Sequence, residues 1–164
     1  MPPWACDNSS GLQDVQYKPA GDHLDDPPML GLRVLVVEDE GMIAMALEEA
    51  IVEMGHVVCA TAGTEAEAVA AAYHTHPDLM IVDGRLRIGS GIAAMRKILT
   101  KRYIPHIYVS GDSLVAEDID PRSVVLRKPF SDDELVAAIA SALLVPSVHT
   151  SSGDDPEKQT DDTI

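Results

Sequence analysis

The sequence is short of positive charge. Twelve Lys and Arg stand against 27 Asp and Glu, a formal net charge of −15 over 164 residues. Nonspecific binding to DNA, RNA or anionic lipid depends on Lys and Arg displacing counterions, so this balance argues against nucleic-acid and membrane-surface roles and leaves a protein or a cation as partner. Cysteine is scarce as well: Cys6 falls in a polar leader and Cys59 in an apolar stretch. Two such residues build no disulfide framework and fit a reducing compartment, with Cys59 read as a small core residue. No apolar run reaches the roughly 18–20 residues of a membrane span, and the first residues lack the basic-then-apolar order of a signal peptide. A cytoplasmic protein is expected. The glycine-containing stretch GRLRIGSG (84–91) has no Walker lysine, so no nucleotide cofactor is expected. His74 and His76, two residues apart with no cysteine nearby, lack the spacing of a helical zinc motif.

What is present is an alternation of short β-branched runs with amphipathic stretches. Residues 1–30, with Pro, Asp and Gly but no sustained periodicity, read as a disordered leader, and 146–164, ending SSGDDPEKQTDDTI, as an acidic disordered tail. The ordered unit is then 31–145. Within it, 32–37, 56–60, 79–82, 106–110 and 123–127 read as strands. Helices are expected over 42–54, 65–74, 90–100 and 131–144. The first carries Ile43, Ala46, Leu47, Ala50, Ile51 and Met54 on one stripe and ends at Gly55. Thr64 with Glu67, and Ser131 with Glu134, have the spacing of capping boxes. Strands alternating with helices call for a doubly wound α/β fold, a parallel sheet covered on both faces, with ligands gathered beyond the carboxyl ends of the strands.

The segment RVLVVEDEG (33–41) ends a buried-looking strand in three consecutive carboxylates, Glu38, Asp39 and Glu40. Like charges in that place repel one another unless a cation joins them. The third strand ends in Asp83, the fourth in Ser110, and Lys128 follows the fifth, so the fold collects carboxylates, a hydroxyl and an ammonium at one edge. Oxygen-rich clusters of this kind suit Mg²⁺, with Asp39 and Asp83 as direct ligands, Glu38 acting directly or through water, and the Arg85 backbone carbonyl as a further ligand. An Asp carboxylate can also serve as nucleophile toward a phosphoryl group, with Ser110 and Lys128 binding its oxygens. Glu40 reads as a helix N-terminal charge.

Over 31–145 the chain resembles the receiver domains of bacterial two-component response regulators. The matching features are Glu38 and Asp39, the lone Asp83, Gly91 in the following loop, Ser110 in YVSGD, and Lys128 in RKPF. The resemblance implies a flavodoxin-like five-stranded sheet of order 2-1-3-4-5. It implies that Asp83 accepts a phosphoryl group from a sensor histidine kinase or histidine phosphotransfer protein, with Mg²⁺ on Glu38, Asp39 and Asp83. Ser110 becomes the switch hydroxyl, Lys128 the partner of the phosphorylated aspartate, and the Lys128–Pro129 bond is expected in cis.

Several positions depart from that pattern. Arg87 stands where a proline is usual in the loop after the acceptor, and with Arg85 it makes the rim basic, to guide a phosphorylated partner or simply as solvated charge. Val125 replaces the aromatic residue usual in the fifth strand, with Tyr108 a weak substitute. Only 17 residues lie between Ser110 and Lys128, so the fourth helix is expected to be shortened. No output domain is read after the receiver, which favours a stand-alone regulator signalling through protein contacts, its downstream target unnamed. Homodimerisation through the last helix is left open. The chain is not expected to be an enzyme beyond its own phosphorylation and dephosphorylation: the phosphohydrolases that use an Asp nucleophile usually carry a second Asp two residues on, where this chain has Arg85. The alternative is a receiver-like protein-binding module that works without phosphorylation.

Overall fold

The computed structural model describes residues 31–111 and 118–144. The expected leader and tail lie outside the described residues, and so does 112–117, on which most of the shortened helix was expected. Among the described residues the order is β1 (Arg33–Val37), α1 (Gly41–Glu53), β2 (Val57–Ala62), α2 (Glu65–Thr75), β3 (Leu79–Asp83), α3 (Gly91–Leu99), β4 (His106–Ser110), β5 (Val124–Arg127) and α4 (Asp132–Leu143). All five strands are parallel, in the order β2-β1-β3-β4-β5. Among the described residues four helices flank the sheet, and the part of the β4–β5 connection from 118 to 123 holds no α-helix.

The period of two along a strand divides the core between the faces. Val34 and Val36 of β1, with Leu79 and Ile81 of β3, pack against Leu47 and Ile51 of α1 and Leu135 and Ile139 of α4. Leu35 and Val37, with Met80 and Val82, face Ala68, Ala71 and Ala72 of α2 and Ala94, Met95 and Ile98 of α3. The central strands are covered on both sides, which is why they read as continuous apolar runs rather than alternating ones. Helix α1 is turned slightly from the expected stripe: Ala44 is buried and Ala46 exposed. The three alanines of α2 leave short side chains between that helix and the sheet.

Both caps form, and the reciprocal box closes at Ser131, whereas the Glu67 carboxylate accepts from Gly63 N at 2.8 Å. The Thr64 and Ser131 hydroxyls accept from the backbone N–H groups of Glu67 and Glu134, and the Glu134 carboxylate accepts in return from Ser131 N at 2.8 Å. Past the end of α1, Gly55 takes φ 84°, a left-handed turn that a Cβ would disfavour.

Before β5, the Asp120 carboxylate takes Arg122 Nε at 2.9 Å, Nη2 at 2.8 Å and the Arg122 backbone N–H at 2.8 Å. The guanidinium in turn lies 4.1 Å from the centre of the Tyr103 ring. Hydrogen bonding from Arg122 holds the Asp120 carboxyl below its ordinary range. A depressed folded-state pKa contributes stability that is present above the unfolded value, about 3.9, and is lost as pH falls through the folded one. Asp120→Asn should therefore cost about 1–2 kcal/mol at neutral pH. Urea denaturation should show that gap closing in acid; a gap of constant size from pH 7 to pH 3 would show that the Asp120 charge contributes nothing.

Candidate functional site

The reversal of strand order falls between β1 and β3, and their carboxyl ends open a crevice there. Val37 and Val82 are the last paired residues of the two strands, so Glu38 and Asp83 leave the sheet side by side. Across β3, Asp83 is in register with Val109, and across β4, Ser110 with Arg127. Lys128 follows Arg127, and its backbone N–H donates to the Ser110 carbonyl at 2.9 Å. A cavity of about 470 Å³ is lined by Glu38, Asp39, Asp83, Arg85, Ser110 and Lys128 among others. Every residue singled out from the sequence as a ligand or a reacting group stands on its wall.

Each carboxylate is already engaged. The Lys128 ammonium donates to Asp83 Oδ2 at 2.8 Å and to Glu38 Oε2 at 3.0 Å. Asp83 Oδ1 accepts from the Arg85 backbone N–H at 2.8 Å, and Glu38 Oε1 from that of Glu40 at 3.0 Å. Asp39 Oδ2 takes Arg87 Nε at 2.8 Å and the Arg87 backbone N–H at 3.2 Å. Burial is uneven, with the Glu38 side chain 2% exposed and that of Asp83 14%. Desolvation raises the Glu38 carboxyl above the ordinary glutamate range, although the Glu40 N–H and Lys128 pull the other way. Burial also works against the Lys128 ammonium, but hydrogen bonds to Asp83 and Glu38 outweigh it and hold that amine above the ordinary lysine value. Ser110 is buried beside them.

The loop from 84 to 90 is stapled to the start of α2. The Glu65 carboxylate accepts from Ser90 N at 3.1 Å and pairs with Lys97 Nζ at 2.7 Å. The Glu65 backbone N–H donates to the Ile88 carbonyl at 3.3 Å. Gly89, at φ 82°, lies against Glu65 so closely that a Cβ there would collide with the Glu65 side chain. Lys128–Pro129 is a cis peptide bond, as expected.

One more contact sits beneath this surface and ties the far wall together. Gly91 opens α3 directly against the Asp83 carbonyl, where no side chain fits. A parallel sheet of order 2-1-3-4-5, an acidic pair after β1, Asp83 after β3, Ser110 after β4 and a Lys-cis-Pro step after β5 form one arrangement. The model of the response regulator receiver domain matches residues 34–140. The chain belongs to that family. Receiver domains serve phosphorelay signalling and work with histidine kinases or histidine phosphotransfer proteins.

The transcriptional regulatory protein PdtaR of Mycobacterium tuberculosis is 37% identical over 115 residues, covering 68% of this chain and 56% of that protein. The phyllosphere-induced regulator PhyR of Methylorubrum extorquens is 33% identical over 119 residues, 70% of this chain and 44% of that protein. The chain thus spans about half the length of these curated relatives. Among solved structures, the receiver domain of Erythrobacter litoralis PhyR superposes with a TM-score of 0.63 at 31% identity, over 70% of this chain and 92% of that one. SdrG of Sphingomonas melonis gives 0.59 at 29%, over 70% and 98%.

For this receiver, the donor chemistry of Glu38, Asp39 and Asp83 fits a hard cation. Their present arrangement does not form a ready ligand set: among the described residues no group of three or more His, Cys, Asp or Glu side chains does. Lys128 and Arg87 each hold one oxygen of these carboxylates: Lys128 on Glu38 and Asp83, Arg87 on Asp39. Val125, in place of the usual aromatic, is 41% exposed. Tyr108 is buried on the opposite wall of the sheet from α4, with its ring edge-to-face against His106 at 5.3 Å between centroids. His56 and His106 are buried near the amino ends of β2 and β4, away from the acidic edge. Among the described residues no helix is long and apolar enough to cross a membrane. Sequence reading passed over two residues of this site: Arg87, set down as rim charge, and Glu65, read only as a helix-start residue. The proline-to-arginine departure at 87 was the available signal for the first; nothing local marked the second.

Proposed function

We propose that this receiver accepts a phosphoryl group on Asp83 from the phosphohistidine of a sensor kinase or phosphotransfer protein and signals by protein contacts. The observation that carries this is the Lys128 ammonium bridging Asp83 Oδ2 and the buried Glu38, beside Ser110. An Asp83 oxygen attacks phosphorus as the bond to the donor imidazole breaks. Lys128 then neutralises the charge added at Asp83, and the Ser110 hydroxyl donates to a phosphoryl oxygen. Glu38, Asp39, Asp83 and the Arg85 carbonyl would hold Mg²⁺, which would supply charge neutralisation on the transferring group. We assign the receiver domain to 31–145 and the protein to the cytoplasm.

Intact mass after incubation with acetyl phosphate tests this. One added phosphoryl group that requires Mg²⁺ and is lost in Asp83→Asn is the expected result. Wild-type protein that stays unmodified with both acetyl phosphate and a histidine-kinase donor would favour the phosphorylation-independent binding module.

A further inference from the structure

Of the three carboxylates at the site, Asp39 is held differently from the other two. Glu38 and Asp83 share Lys128, whose side chain is only 24% exposed and reaches the site from the next strand but one. The partner of Asp39 is Arg87, on the loop after β3, and its side chain is 76% exposed. Two donors of that one residue, Nε and the backbone N–H, converge on the same oxygen, Oδ2. The base of the arm is fixed, since the loop is tied to α2 through Glu65, Ile88 and Ser90. The guanidinium itself is free to leave into water. Among the described residues its ion-pair partner is Asp39, which keeps the Arg87 backbone N–H when the guanidinium goes.

An exposed guanidinium on a carboxylate has the properties of a displaceable counterion. It satisfies the charge of Asp39, it costs little to release, and it sits on an oxygen that a divalent ion needs. We propose that Arg87 is a built-in competitor for the cation: its guanidinium holds Asp39 until Mg²⁺ displaces it, and so sets the Mg²⁺ concentration at which the site loads. This rests on the assignment of Mg²⁺ to Glu38, Asp39 and Asp83. It deepens that assignment by making metal loading an exchange of one cation for another.

The test is Mg²⁺ titration by calorimetry on the full chain in about 0.15 M salt, where the fields of separated exposed charges are largely screened. Wild type, Arg87→Gln and Lys101→Gln are compared. Lys101→Gln removes the same charge from an exposed position that does not line the site. The expected result is Mg²⁺ binding roughly fivefold tighter in Arg87→Gln, the weight of a partly exposed ion pair. Lys101→Gln should shift by less than about twofold, the residue of a screened field. Equal tightening in both variants overturns the proposal in favour of a general field effect. So does an Arg87→Gln affinity equal to wild type, and either result leaves the metal assignment standing. Absence of Mg²⁺ binding in all three proteins overturns the assignment itself and the competitor with it.

Discussion

Replacing Gly91 by alanine should destabilise the chain by about 3 kcal/mol or more and sharply reduce phosphoryl acceptance at Asp83. A Cβ built at Gly91 runs into the carbonyl oxygen of Asp83, lies 2.7 Å from Val82 Cγ1 and 3.0 Å from the Asp83 carbonyl carbon. Two of these atoms are backbone, which has no rotamer to escape into. The start of α3 must lift or the end of β3 must bend. Lifting α3 opens the packing of Ala94, Met95 and Ile98 on the sheet. Bending β3 moves Asp83 away from Lys128, whose 2.8 Å contact tolerates little displacement. Chemical denaturation and intact mass report the two consequences separately. Stability within about 0.5 kcal/mol of wild type would mean that the close approach of Gly91 is not a constraint.

The second large effect is expected at Lys128. Lys128→Ala removes the cation that joins Glu38 and Asp83 and leaves a 2% exposed carboxylate that still accepts from the Glu40 N–H. Breaking a buried ion pair from one side costs about 3–5 kcal/mol; the partial exposure of Lys128 places the expectation near 3. The pH dependence has a definite sign. Burial already holds the Glu38 carboxyl above its ordinary range, and loss of Lys128 raises it further. A raised folded-state pKa contributes stability that is present below the unfolded value and lost as pH rises through the folded one. The deficit of Lys128→Ala should therefore be largest at neutral pH and shrink in mild acid, where Glu38 takes up a proton. Lys128→Arg keeps the charge and should recover part of the stability. Denaturation at pH 5 and pH 7.5 decides the matter: a deficit that does not change between them would show that Glu38 keeps the same charge state over that range in the variant.

Phosphorylation separates the two variants from ordinary destabilisation. Lys128→Ala, held folded at low temperature, should still fail to retain the phosphoryl group, because neutralisation of its charge has been removed. An exposed, stability-matched substitution elsewhere in the sheet should not.

Much of this was legible in the residues themselves. Short β-branched runs alternating with capped amphipathic helices dictate a parallel sheet with both faces covered, and the caps at Thr64 and Ser131 were readable from a spacing of three. Capping is local: donor and acceptor lie within one turn, so sequence spacing is already spatial spacing. Burial was less exact. Ala44 rather than Ala46 faces the core in α1 because a helix rotates to suit all its contacts at once, and alanine pulls weakly in either direction. The gathering of Glu38, Asp39, Asp83, Ser110 and Lys128 followed from topology, since parallel strands send all their carboxyl ends to one edge.

Residue types and their order determined by themselves the class of fold, the edge where chemistry collects and the chemical character of that edge. Tertiary structure decided which charge meets which. Lys128 bridges Glu38 and Asp83 over separations of 90 and 45 residues. Arg87 crosses 48 residues to Asp39, and Glu65 reaches 25 to Ser90. Gly91 is required by an atom of the backbone, which has no letter in the sequence. A side chain's pairing depends on distances of about 3 Å, and those are fixed only when strand register and loop path are both set.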